Sequence, residues 1–360
     1  MDQFDQEQQI EPSAKYTLTL HDDNLKMTEE CILDTEGAKG IHSVKFNYND
    51  QYISAGYRDG RVRIFNMMTK KKVCELDCND GNENETLVQV MKWRPKIEGR
   101  TNNILMTACR DTIIEWHTPS HKMVQKKTFT DNTIFSMDYS NDGLDYALGF
   151  KDFSIRVFDG AKKVEKLKLG GHDNHKVTGH MSKIYAIKYH KDNPRILLSG
   201  GWDGNVLIWD LNTETPINII NGPMISGEGL DMNCYGEVLT ASWRKDSPLQ
   251  LWDYNTLQLK QDIEWNFKEK EDSNKASTQL YCCKFSNDFG RYIFAGGSQV
   301  NAVKMFDWTG KGLATIDGLS HAPVAIDVSN DVSKSEQLLA IGGGEGMIRV
   351  FRYSYSLQNS

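Results

Sequence analysis

Apolar and polar residues alternate in short runs along almost the whole chain. His42-Ser43-Val44-Lys45-Phe46, Phe135-Ser136-Met137-Asp138-Tyr139 and Ile184-Tyr185-Ala186-Ile187-Lys188-Tyr189 each alternate with period two, the mark of a half-buried strand. Each run gives way to a cluster of turn formers, such as Asn49-Asp50, Asn141-Asp142-Gly143, Lys191-Asp192-Asn193-Pro194 or Asn287-Asp288-Phe289-Gly290. Asn, Asp and Gly supply the positive φ angles or side-chain turns that short hairpins need. No long stretch carries a helical period. The pattern predicts an all-β chain.

A longer period lies over the short one. Seven times an alternating strand runs into an aromatic residue, usually with an Asp at a tight turn before it. The fullest copy is Ser199-Gly200-Gly201-Trp202-Asp203-Gly204-Asn205-Val206-Leu207-Ile208-Trp209-Asp210. The repeat aromatics are Phe65, Trp116, Phe158, Trp209, Trp252, Phe306 and Phe351, spaced by 51, 42, 51, 43, 54 and 45 residues. Repeats of about 40–45 residues with four strands each predict the blades of a β-propeller. Such a ring must close, because an open blade edge invites aggregation. Little chain follows Phe351, so the missing outer strand is expected from the N-terminal side. Residues 30–34 (Glu30-Cys31-Ile32-Leu33-Asp34) match Val73-Cys74-Glu75-Leu76-Asp77, and residues 15–20 are the rival. The expected layout is a polar extension over 1–29, a seven-bladed propeller over 30–353 and a tail over 354–360. Three longer connections, Cys78 to Thr86, Gly170 to Val177 and Phe267 to Thr278, are expected to be insertions or binding loops.

Composition narrows the function. A net charge of −7 argues against a general nucleic-acid footprint. The seven Cys include no Cys-x-x-Cys pair, which predicts reduced thiols in a cytoplasmic setting. The acidic start, Met1-Asp2-Gln3-Phe4-Asp5, has neither a secretory nor an organellar pattern, and no run of 18 apolar residues predicts a membrane span. The segment containing His172, His175 and His180 lacks the Cys or carboxylate partners that a metal site needs. Pro119 separates His117 from His121, so no helix presents that pair together. Gly342-Gly343-Gly344-Glu345-Gly346 leads into a strand without the Lys and Ser/Thr of a phosphate loop, and reads as a hairpin turn. No nucleophile, metalloprotease or kinase motif appears. Catalysis, a cofactor, a metal and a small-molecule substrate are not expected.

The repeats resemble the WD40 repeat family over roughly residues 30–353, which implies a WD40-type propeller. In the fourth repeat Gly179-His180, Ser199, Asp203 and Trp209-Asp210 match the family pattern. The resemblance implies a hydrogen-bonded chain of Asp203, His180, Ser199 and Trp209 within that blade. It also implies that the residue before each turn Asp faces the narrow side of the ring, around the channel. Those residues are Arg58, Arg110, Lys151, Trp202 and Lys245, a basic ring suited to an acidic protein segment. The stretches 196–232 and 238–253 are similar to WD40 proteins of cilia and flagella. That likeness suggests a scaffold in an axonemal or microtubule-associated complex, with tubulin tails as partners. Cullin-ligase receptors of the family carry Trp-Asp-x-Arg, whereas this chain has Asn212 and Asn255 in place of the Arg. The Phe-Arg-Arg-Gly motif of phospholipid-binding propellers is missing. An RNA-processing or chromatin scaffold stays open.

Overall fold

The computed structural model describes residues 16–33, 37–38, 40–79, 86–173, 176–177, 179–266 and 278–356. The first 15 residues, most of the three long connections, Asp34 and His175 lie outside the described residues.

Seven antiparallel sheets follow one another around a ring, and a separate two-stranded ladder joins His172–Asp173 to Lys176–Val177. In blades 1 to 6 the chain runs outward through four consecutive strands. Blade 4 is representative, with Ile184–Tyr189 innermost, then Ile196–Gly201, Asn205–Asp210 and Thr215–Asn221. The repeat aromatics all fall on third strands, so the long period of the sequence is the blade. Apolar clusters fill the spaces between neighbouring blades. One joins Val62, Ile64 and Leu76 of blade 1 to Val88, Met91 and Trp93 of blade 2. Small residues on the second strands permit this approach: a Cβ added at Gly200 would lie 2.7 Å from Cγ1 of Ile225.

Both candidate closing segments are used. Leu25–Leu33 pairs with Ile348–Tyr355 and becomes the outer strand of blade 7. Thr17–Leu20 pairs with Gly312–Asp317 and adds a fifth strand to blade 6. The propeller therefore takes in residues assigned above to an N-terminal extension, and its last strand runs to Tyr355 instead of ending at 353. The cause is length: the closing strand needs Leu25 and Met27 in the apolar layer between blades 6 and 7. Helical structure among the described residues is one short 3-10 turn, Thr118–Ser120, which Pro119 starts.

Candidate functional site

The turns between second and third strands meet the segments that lead into the inner strands on one face of the ring, the face expected above to be the narrow one. Six of the seven inner strands bulge at their second residue, with register shifts between Ile41 and Ser43, Val88 and Val90, Ile134 and Ser136, Ile184 and Ala186, Leu280 and Cys282, and Pro323 and Ala325. A bulge re-aims the extra side chain, here to the channel mouth. Phe135, Tyr185 and Trp202 form a run there, with ring centroids 5.1 Å and 5.9 Å apart. Trp243 and Tyr281 form a second pair at 4.7 Å. Lys183 lies over Phe135 at 5.3 Å.

Arg58, Arg110, Lys151 and Trp202 directly follow the second strands of blades 1 to 4 and are exposed. The amides of Arg58 and Lys151 donate to the carbonyls of Gly40 and Thr133, each at 2.8 Å. Lys245 does not occupy the matching place in blade 5. Ala241 pairs with Leu249, and the Ser242 amide donates to Pro248, so the next residue in register is Trp243. Lys245 is exposed further along a longer hairpin. The ring is thus three cations followed by two tryptophans. Beside it, burial and then the charge of Arg58 hold the His42 imidazole below its ordinary range.

The turn carboxylates next to the ring are engaged inside the blades. Asp203 Oδ2 accepts from His180 Nδ1 at 2.8 Å and from the Met181 amide at 2.8 Å. His180 Nε2 faces Ser199 Oγ at 2.8 Å, and Ser199 Oγ accepts from Trp209 Nε1 at 2.7 Å. These four side chains form one continuous chain in blade 4. Burial pushes the Asp203 carboxyl up, but the His180 hydrogen bond and charge outweigh it and leave the group below its usual range.

The other blades follow a rule that sequence reading missed. Where the third-strand aromatic is Trp, its Nε1 donates to a hydroxyl of the second strand: Trp116 to Thr107 at 3.1 Å and Trp252 to Thr240 at 3.1 Å. Phe cannot donate. In all four Phe blades a cation sits two residues before it: Arg63, Arg156, Lys304 and Arg349. Three of these grip the turn acid of their own blade, as Arg63–Asp59 (2.8 Å), Arg156–Asp152 (3.2 Å) and Arg349–Glu345 (3.0 Å). The signal was present as Asp or Glu four residues before Arg.

A second missed feature lines the channel. Every inner strand places one charged residue at the same offset: Lys45, Lys92, Asp138, Lys188, Asp231, Lys284 and Asp327. Each Asp takes a Lys from the preceding blade, Lys92–Asp138 at 3.5 Å, Lys188–Asp231 at 3.1 Å and Lys284–Asp327 at 3.1 Å. Each also accepts an amide of the following blade, from Tyr189, Phe285 and Phe46 respectively. The carboxylates thus stitch neighbouring blades together at the waist. Lys45 is left over and pairs instead with Glu228. In sequence the signal was a charge followed by a bulky apolar residue in each inner strand.

Among the described residues no group of three or more His, Cys, Asp and Glu is placed to hold a metal. No helix of the described residues is long and apolar enough to cross a membrane. The metal reading of the His172–His180 segment falls on side chains outside the described residues, apart from His180.

Comparison with known proteins agrees with this geometry. The family model for the WD domain, G-beta repeat matches residues 29–66 and 171–210. The chain is similar to a protein from Arabidopsis thaliana named cell division cycle 20.4, cofactor of APC complex, with 22% identity over 70% of this chain and 54% of the relative. The APC/C activator protein CDC20 of Saccharomyces cerevisiae is 22% identical over 78% of this chain and 43% of its own length. A ribosome biogenesis protein WDR12 homolog of Drosophila pseudoobscura pseudoobscura is 25% identical over 61% of this chain and 51% of its own length. The chain spans about half the length of these curated relatives.

Proposed function

We propose that this chain, a seven-bladed propeller of the WD40 type, is a non-catalytic adaptor that holds an acidic segment of a partner protein on its narrow face. The observation that carries the reading is the run of Arg58, Arg110 and Lys151 at one position of three consecutive blades, with Trp202 and Trp243 in the next two. The neighbouring turn acids Asp59 and Asp152 pair with Arg63 and Arg156 of their own blades, and Asp203 is hydrogen-bonded to His180. The cations therefore act outward, in a chain whose overall charge is negative, and focus a local positive potential. Exposed Trp202 and Arg58 and half-buried Trp243 are residue types that anchor protein interfaces. The relatives' names, a cofactor and an activator, fit an adaptor role in the broad sense.

The specific form of the proposal is a cytoplasmic scaffold in a ciliary axoneme or another microtubule-associated assembly, with the acidic tails of tubulin as the ligand. The resemblance of residues 196–232 and 238–253 motivates it, and the charge of the ring suits it. A second reading follows the relatives' names and places the adaptor in a cell-division or ribosome-biogenesis assembly. Affinity capture from native cells separates the two. Capture of axonemal proteins by the native chain, lost when Arg58→Glu and Arg110→Glu are combined, is the expected result. Their absence from the native capture removes the ciliary reading. Retention of every partner by the double variant removes the narrow-face reading.

A further inference from the structure

The outer strands of the seven blades differ in how they guard their edges. Lys72–Asp77, Lys122–Thr128, Glu165–Gly170, Leu259–Asp262 and Leu25–Leu33 each carry at least two charged residues. Charges on an edge strand discourage pairing with another chain. Two outer strands lack that protection. Gly312–Asp317 of blade 6 has a single charge, at its end, and Thr215–Asn221 of blade 4 has none. The first is covered within the molecule by Thr17–Leu20, as a ladder of four pairs from Thr17–Asp317 to Leu20–Ala314. The second has no strand beside it among the described residues. Ile217 and Ile219 on it are 45% and 42% exposed.

We infer that the outer edge of blade 4 receives a fifth strand from a partner protein, as the outer edge of blade 6 receives Thr17–Leu20. The occupant is an extended, uncharged segment with alternating β-branched and apolar residues, added antiparallel along Ile217–Asn221. Complementarity of charge selects it. A charged strand would lay its charges against Ile217 and Ile219 with no counter-charge on the edge, whereas an uncharged one loses nothing. Pro216 lacks an amide hydrogen, and the register slips between Ile208 and Trp209 opposite it, so pairing stops there. The remaining stretch is long enough for the four-pair ladder already seen on blade 6. Strand addition draws its affinity from main-chain hydrogen bonds and its specificity from alternate side chains.

The probe is a capped, uncharged peptide with the sequence of residues 16–20, Tyr-Thr-Leu-Thr-Leu, added to the full chain. Hydrogen exchange at residues 217–221 is expected to slow with added peptide. The slowing should persist at about 1 M salt, where the Debye length is only about 3 Å. It should be lost in Ile219→Lys, while that variant melts like the native chain. No slowing at 217–221 overturns the inference, as does slowing confined to residues 312–317. A concentration-dependent dimer in sedimentation, abolished by Ile219→Lys, also overturns it by giving the edge to a second copy of the chain.

Discussion

Glu228 and Lys45 pair across the channel mouth from blades 5 and 1, 183 residues apart in sequence. The pairing solves a counting problem. Three channel aspartates serve three lysines, and seven blades leave Lys45 without an Asp. Glu228 stands three residues before Asp231, the place of the bulged residue in other blades, and supplies the missing charge. Lys45 is almost fully buried. Glu228→Gln therefore strands a buried ammonium near Lys92 and should destabilise the fold by about 1–3 kcal/mol. Replacing both residues by Met should restore most of that loss. Urea unfolding of Glu228→Met, Lys45→Met and the double Met variant checks this, and additive losses would show that the pair is not coupled.

Acid should dismantle the same waist. Burial raises the carboxyl groups of Asp231, Asp327 and Glu228, but nearby lysines more than reverse the effect. Lys188 and Lys284 act on Asp231, Lys284 and Lys45 on Asp327, and Lys45 and Lys92 on Glu228. All three groups lie below their ordinary range in the folded chain. A depressed acid contributes stability that is complete above its unfolded value of about 4, and the contribution is lost as pH falls through the folded value. Melting temperature should hold down to about pH 5 and drop below about pH 4. Asp231→Asn should melt lower at neutral pH but lose less between pH 5 and pH 3. A variant as acid-sensitive as the native chain would exclude Asp231 as a source of the loss.

The blade networks make a graded prediction. Asp203→Ala leaves His180, which is fully buried, without its acceptor, and should cost about 1–3 kcal/mol. Asp246→Ala, in an exposed hairpin, should stay within about 0.5 kcal/mol. Arg349→Ala removes a buried cation from Glu345 and Glu29 and should cost the most, about 3 kcal/mol. Chemical unfolding ranks the three variants. Equal losses at Asp203 and Asp246 would deny blade 4 a special network.

The all-β class, the seven repeats and the closing strand were legible because their signals are local or topological. Period-two runs end in Asn, Asp and Gly turns, and the last blade lacked an outer strand. The sequence offered residues 30–34 and 15–20 as alternatives, and the fold uses both, because the nearly uncharged outer strand of blade 6 also needs cover. Lys245 was misplaced because Asp246 served as the marker, while strand register points to Trp243. The channel charges went unseen for a physical reason. A Lys or Asp alternating with apolar residues looks solvent-facing in one sequence, whether the face meets bulk water or a channel. Arg63, Arg156, Lys304 and Arg349 were hidden likewise among ordinary polar strand positions.

Ring closure predicts a sharp difference between two truncations. Removing residues 1–35 uncovers the edges of Ile348–Tyr355 and Gly312–Asp317 together and should make the chain insoluble. Removing residues 1–14 spares both closing strands and should leave solubility and melting unchanged. A soluble, cooperatively melting 36–360 fragment would contradict the closure described here.

The central claim is that the narrow face binds acidic segments through Arg58, Arg110 and Lys151, anchored by Trp202. The most direct measurement is the affinity of a glutamate-rich peptide for the native chain and for the variant combining Arg58→Glu with Arg110→Glu. Exposed turn substitutions usually change stability by no more than about 0.5 kcal/mol, so the two proteins should melt alike. The native chain should bind the peptide, and binding should weaken as salt rises past about 0.15 M, where the Debye length is about 8 Å. The variant should show no binding, and Trp202→Ala should speed dissociation more than it slows association. Equal affinity of native and double-variant chains for the peptide would contradict the account.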